Sequence, residues 1–237
     1  MGRKPGTVSE AVLPILCYHK VGSRADEGRW LNIEPLRLES HVRFFGRRGF
    51  EFITLSELAH RWPERGVAFT FDDAYVSALV HGQEVLNRHQ ARATFYAVPG
   101  RVGETSSWDG DRARPLADWD TLSLARENRH EIGNHSMTHR HLGELSPDEQ
   151  FRELDQARDA LRQRGFETIS VAYPYGSYNE QTANAAQQAW LQVGVKLEKR
   201  PAYETDNRLM LPRIIVAYSD ALPKLLYKIH VRPRLPR

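Results

Sequence analysis

Three short segments carry most of the residues that could do chemistry. Val67-Ala-Phe-Thr-Phe-Asp-Asp73 is an apolar run that ends in two adjacent carboxylates. At a strand end a turn can bring both to one point, where one could bind a metal and the other accept a proton. Glu131-Ile-Gly-Asn-His-Ser-Met-Thr-His-Arg-His-Leu142 sets His135 and His139 four apart, so a helical turn or compact loop puts both imidazoles on one side, with His141 facing away. Two neutral imidazoles plus a carboxylate from elsewhere form a site with open positions, suited to zinc or another divalent transition metal. Ser170-Val-Ala-Tyr-Pro-Tyr-Gly-Ser-Tyr178 runs from a strand into a turn fixed by Pro174 and Gly176, which could aim the Tyr175 backbone N–H at a developing oxyanion. Each segment alone also has a plain structural reading: a helix cap, a chance pair among ten histidines, an ordinary strand–turn–helix.

These segments need elements to hold them together. Short β-rich runs alternate with amphipathic helical patterns along the whole chain, as in an α/β domain with a mostly parallel sheet. Strands are expected at Ile15–Val21, Phe50–Leu55, Val67–Phe71, Ala93–Val98, Glu131–Gly133, Ile169–Tyr173, Val193–Leu197 and Arg213–Ala217. Helices are expected at Pro35–Arg48, Ser56–Trp62, Tyr75–His89, Asp118–Asn128, Pro147–Arg164 and Glu180–Trp190. Ser146-Pro-Asp-Glu149 is a strong helix start with a capping box, and Asn179 is a plausible cap for the next helix. The three chemical segments then fall at strand carboxyl ends, where barrels and open α/β sheets place their sites. The irregular stretch Gly100–Pro115 carries Trp108 amid charged residues, which suits a groove wall stacking on a sugar.

Composition sets limits on the alternatives. The 237 residues, 41% hydrophobic and 10% aromatic, are enough for one large domain over 1–237, with 1–12 and 228–237 expected as flexible tails. A single cysteine, Cys17, excludes an internal disulfide and cysteine-based zinc modules. The formal charge of +3 is dispersed, which argues against nucleic acid as a partner. There is no run long enough to span a membrane and no clear signal sequence, so a cytoplasmic location is expected.

Taken together, Thr70-Phe-Asp-Asp73, His135-Ser-Met-Thr-His139 and Pro174-Tyr-Gly176, in this order, resemble the polysaccharide deacetylases of the NodB-like group, carbohydrate esterase family 4. Ala93-Thr-Phe-Tyr96 and Glu131-Ile-Gly133 extend the likeness over roughly residues 13–217. Pro14-Ile-Leu-Cys-Tyr-His-Lys-Val21 is similar to the permuted branch that contains poly-N-acetylglucosamine deacetylases, in which the strand with the general-acid histidine comes first. The resemblance implies a distorted (β/α) barrel of about seven or eight mostly parallel strands and a metal-dependent hydrolase removing N-acetyl groups from an amino-sugar polysaccharide or oligosaccharide. It assigns Asp73, His135 and His139 to the metal (zinc first, nickel or cobalt as alternatives), Asp72 to the base, His19 to the acid, and Trp108, Pro174 and Tyr175 to the saccharide.

One position departs from the family pattern. Four residues before Pro174, where many members carry an Arg that orients the catalytic Asp, stands Ser170; Arg213 is the expected replacement, and Asp206 a weaker candidate for a supporting acid. That departure keeps open a non-catalytic carbohydrate-binding relative. The metal set alone also allows a non-haem iron oxygenase, which the strand–helix alternation disfavours, and the fold allows a deacylase of a non-carbohydrate amide.

Overall fold

The structure, a computed structural model, describes residues 12–235. Seven strands close a ring: Ile15–Tyr18, Gly66–Phe71, Thr94–Ala97, Glu131–Asn134, Ser170–Ala172, Val193–Leu197 and Leu211–Ile215. Every pairing in the ring is parallel, and the last strand returns to the first through Ile214 opposite Leu16. An eighth strand, Glu51–Ile53, pairs only with Gly66–Ala68, whereas Thr94 and Phe95 pair with Thr70 and Phe71 farther along the same strand. The barrel is therefore distorted as expected, and its all-parallel ring is unlike the antiparallel jelly roll that the oxygenase reading requires.

Alternation along the strands explains the packing. Leu16, Tyr18, Phe69, Phe71 and Phe95 pack with Leu38, Val42 and Phe45 of the helix Pro35–Arg47, so they face outward from the barrel. Tyr18, Phe71 and Phe95 lie opposite one another on three adjacent strands, and their rings stack at 5.2 and 4.9 Å. The intervening residues Ile15, Ala68, Tyr96, Ala172, Val195 and Leu211 form a second cluster inside. Ala68, Thr70 and Ala172 are small, which leaves room inside for the fully buried Arg213.

Several boundaries differ from expectation for physical reasons. The first strand breaks at His19: Ile15–Tyr18 stays in the ring, while Lys20–Val21 pairs with Asn32–Ile33. The helix expected from Tyr75 begins at Val76, just past the left-handed Asp73 and Ala74, and passes through a π turn at Ala78–Gly82 into Gln83–Arg88. Ser56–Ala59 is a single 3₁₀ turn, and the last strand, Leu211–Ile215, lies earlier than expected, with Arg213 at its centre. The Ser146 capping box forms. Asn179 instead lies one turn outside its helix, Thr182–Gln188, where its side chain accepts from the Gln181 N–H.

The expected tails need correction within the described residues. Val12 begins a short strand paired with Tyr203; residues 1–11 and 236–237 lie outside the described residues. Tyr227–Val231 and Arg232–Arg234 are helical turns. Ile229 is buried, and Lys228 pairs with the buried Asp220 and donates to the Ile215 carbonyl. No described helix is long and apolar enough to cross a membrane.

Candidate active site

The carboxyl ends of the strands surround a cavity of about 450 Å³ whose wall includes His19, Asp72, Asp73, His135, His139 and Tyr175. The Asp72 N–H continues the sheet by donating to the Tyr18 carbonyl. Asp73 and Ala74 then take positive φ values of 69° and 51°, an uncommon conformation for residues other than glycine. This turn separates the roles of the two neighbouring acids: Asp72 engages Arg213 inside the barrel, and Asp73 meets the histidines.

Arg213 reaches Asp72 from across the barrel. Nη1 donates to Oδ1 at 2.6 Å and Nη2 to Oδ2 at 2.7 Å, and Nη1 also donates to Thr70 Oγ1 at 3.0 Å. Burial pushes the Asp72 carboxyl up, but Arg213, with His135 and His19, outweighs it and holds the group at about 2. Ser170 lies elsewhere; its hydroxyl donates to Glu131 at the other end of the barrel. Asp206 is also away from the site, in a two-point pair with Arg200 at 2.8 Å.

The histidine loop is held from three sides. The Asn134 side chain accepts from the Ser136 N–H and donates to the Leu154 carbonyl. Ser136 Oγ accepts from the His139 N–H, and the Glu153 carboxylate accepts from both the N–H and the hydroxyl of Thr138. Gly100 donates to the Met137 carbonyl, whose oxygen would lie 2.5 Å from any added Cβ, so glycine is required there. Ser136 and His139 are left-handed at 60° and 61°.

His135 Nδ1 donates to the Ala172 carbonyl at 2.7 Å, which leaves Nε2 free to ligate a metal. The Nε2 atoms of His139 and His135 lie 3.0 and 3.4 Å from Asp73 Oδ1, and one donor from each residue falls within 4.8 Å of the others. All three side chains are buried, yet Asp73 Oδ1 makes no hydrogen bond. An oxygen and two nitrogens converging without hydrogen bonding among themselves fit a divalent cation of the zinc class. Burial alone would raise the Asp73 carboxyl, but His135 and His139 hold it well below its ordinary value. Burial lowers His139, whereas Asp72 and Asp73 overcome burial at His135 and raise it.

The other expected residues have mixed placements. His19 faces the same cavity from the break in the first strand, with Nδ1 buried and unpartnered; burial lowers it against the pull of Asp72 and Asp73. Tyr175 lines the cavity, left-handed at 59°. Pro174 is buried behind it and shapes the turn rather than the wall. Trp108 is on the wall, but one face is already used, stacked on His139 at 4.0 Å between ring centres. His141 is apart from the Asp73–His135–His139 group and the cavity wall, as expected, and its ring lies flat on Tyr175 at 3.8 Å.

Sequence reasoning missed Cys17, whose thiol donates to Asp72 Oδ2 at 3.5 Å, and the wall residue Trp30; Asp109 and Arg112, two of the charged residues beside Trp108, do line the wall with it. Cys17 precedes His19 by two on a strand, so period-two alternation could have placed it on the inner side. Nothing local marks Trp30.

Residues 60–194, more than half of the chain, match the family described as Polysaccharide deacetylase. That segment includes Asp72, Asp73, His135, His139 and Tyr175, and leaves out His19 and Arg213. The chain is 25% identical over 218 residues to YxkH of Bacillus subtilis strain 168, provisionally named a polysaccharide deacetylase, covering 89% of this chain and 74% of that one. It is 22% identical over 215 residues to the poly-beta-1,6-N-acetyl-D-glucosamine N-deacetylase of Staphylococcus aureus strain MRSA252, covering 86% and 74%. The Streptococcus pyogenes deacetylase PplD, solved with acetate, shares the fold at a TM-score of 0.79 and 22% identity, over 93% of this chain and 99% of that one. IcaB from Ammonifex degensii does so at 0.73 and 22%, over 91% and 95%. With motif order, barrel and matched segment in agreement, the chain belongs to the polysaccharide deacetylase family of hydrolases.

Proposed function

We propose that this chain removes N-acetyl groups from an N-acetylglucosamine-type saccharide, with Asp73, His135 and His139 holding a zinc ion. The observation that carries the proposal is the convergence of their three donor atoms beside a second buried carboxylate, Asp72, fixed at both oxygens by Arg213. Members of the family depend on a divalent metal, which when bound supplies Lewis acidity toward the acetamide carbonyl and the attacking water. The rest is the work of the chain's own residues.

Asp72 is ionised, and its carboxylate accepts the proton of the attacking water; Arg213 keeps it ionised and oriented. The Tyr175 backbone N–H donates to the acetyl oxygen as negative charge develops there. His19, in its protonated form, gives a proton to the departing amine, so that acetate and a free amino sugar leave. Trp108, anchored on His139, presents its remaining face to the sugar.

The test is acetate release from N-acetylglucosamine oligosaccharides by metal-stripped protein before and after adding zinc, nickel or cobalt. Release restored by metal, zinc foremost, is expected. Release unchanged by chelation and by His135→Ala defeats the reading.

A further inference from the structure

The cavity does not end at Trp30 and Arg112. Both residues also line an adjoining hollow of about 470 Å³, walled further by Lys20, Arg29, Arg114 and Glu27. Its charge differs from that of the catalytic end. Four cations face one carboxylate, and Arg114 already occupies that carboxylate, with Nε 3.5 Å from Glu27.

Among the described residues the other three cations make no ion pair, and Glu27 and Asp109 act on Lys20 only at longer range. Lys20 is 1% exposed, yet its ammonium donates only to the Glu27 backbone carbonyl at 3.4 Å and otherwise sits 5.7 Å from the Tyr75 ring. Arg112 lies over the Trp30 indole at 5.2 Å and Arg29 over Tyr218 at 5.3 Å. Among the described residues, no carboxylate oxygen comes within 4.0 Å of any of the three. A largely buried ammonium that makes no direct ion pair is costly, and an arriving anion would reduce that cost. Guanidinium groups suit phosphate and carboxylate alike, and Trp30, 53% exposed, offers an aromatic face for a pyranose.

We infer that the cleft takes a saccharide carrying an anionic substituent, a phosphate or a carboxylate, on the sugar next to the one that is deacetylated. Lys20, Arg29 and Arg112 hold the anion while Trp30 stacks on the sugar. The inference rests on the deacetylase reading, because it places the anion relative to the acetyl group under attack.

The test compares three oligosaccharides of equal length with the metal-loaded protein: neutral β-1,6-linked N-acetylglucosamine, the same chain with a phosphate monoester on the neighbouring sugar, and the same chain with a uronate carboxylate there. The expected result is a kcat/KM at least about tenfold higher for one or both anionic forms, carried by KM and falling toward unity in about 0.5 M salt. The better of the two identifies the anion. Arg29→Ala with Arg112→Ala should abolish the preference, and these exposed positions avoid the folding risk of replacing Lys20. Equal kcat/KM for all three substrates, or a preference that survives the double variant, overturns the inference. Titration calorimetry with the same oligosaccharides reads the subsite without turnover. Preferential binding of the anionic forms without acetate release would count against the deacetylase reading and for the subsite, and equal binding would count against the subsite.

Discussion

The two ends of the barrel hold the same kinds of side chain in opposite states. At the strand starts, the Glu131 carboxylate accepts from the hydroxyls of Ser170 and Thr94 and from the Ser56 N–H, while Thr94 Oγ1 accepts from the Leu55 N–H. None of these residues is left-handed, although Gln90, Arg129 and Trp190, in the turns that lead into the strands, are. At the strand ends, Asp73 Oδ1, His19 Nδ1, His139 Nδ1 and Arg213 Nε are buried without hydrogen-bond partners. Asp73, Ala74, Ser136, His139 and Tyr175 are all left-handed there. One end spends its polar groups on stability. The other sets left-handed backbone at the candidate site residues themselves and leaves buried donors and acceptors unused, which is the pattern of a site that awaits a ligand.

If that division is right, substitutions at the mouth remove chemistry and substitutions at the floor remove stability. The largest effects are expected from Asp73→Ala and His135→Ala, which should lose bound metal and at least about a thousandfold in turnover with the fold intact. Asp72→Asn should keep the metal and lose turnover by about 10²–10⁴-fold. Metal content and acetate release, measured on the same samples, separate the two outcomes. Full activity in Asp72→Asn would sink its role as base.

Acid should expose the framework's own buried histidines. His41 and His130 are each lowered to about 4 by burial, and His130 Nδ1 accepts the Ala93 N–H, which a protonated ring cannot do. Their folded values lie below the ordinary value near 6.5, so their contribution is complete above that pH and is lost as pH falls from about 6.5 toward 4. The loss is on the order of 2 kcal/mol per histidine by pH 5. NMR titration of the ring protons checks this; a His130 that titrates near 6.5 contradicts it.

Arg213 belongs to both ends of the comparison, because it pairs with the buried Asp72 carboxylate, the proposed base, at both oxygens. Arg213→Lys keeps the charge and loses the two-point grip, so kcat should fall about 10–100-fold with KM little changed. At the floor, Glu131→Ala leaves Ser170, Thr94 and the Ser56 N–H without their acceptor. Stability should fall by about 2 kcal/mol, while metal content and kcat stay within about twofold of wild type. A large loss of metal in Glu131→Ala would mean that the two ends are not independent.

The chemistry was legible in the sequence where it is local, and lost where it depends on contacts across the barrel. The spacing of His135 and His139 and the turn at Pro174 and Gly176 are short-range features, and the strand–helix alternation is cumulative over the whole chain. Which of Asp72 and Asp73 meets the histidines depends on a left-handed turn that no residue type at 73 or 74 announces; only family resemblance assigned it. The Arg213–Asp72 pair spans 141 positions, and its partner strand was expected two residues late. Trp108 looked free for a sugar because its stacking on His139 joins two distant loops. The basic end read as a solvated tail because the pairing of Lys228 with Asp220 appears only once the last helix packs.

The smallest effect tests whether framework and site are joined through one helix. Ser146 caps Pro147–Gln163, and Glu153 on that helix binds Thr138 in the histidine loop. Ser146→Ala removes the side-chain acceptor from the Glu149 N–H and should cost about 1 kcal/mol of stability. Because Glu153 lies well inside the helix, beyond the frayed first turn, its grip on Thr138 should survive, and kcat should be unchanged. Glu153→Gln should do the reverse. The helix keeps its cap, but the loop loses a charged acceptor, so metal affinity should fall by about tenfold while melting changes little. Equal loss of metal in both variants would show that helix stability, rather than the Glu153–Thr138 contact, positions the ligands.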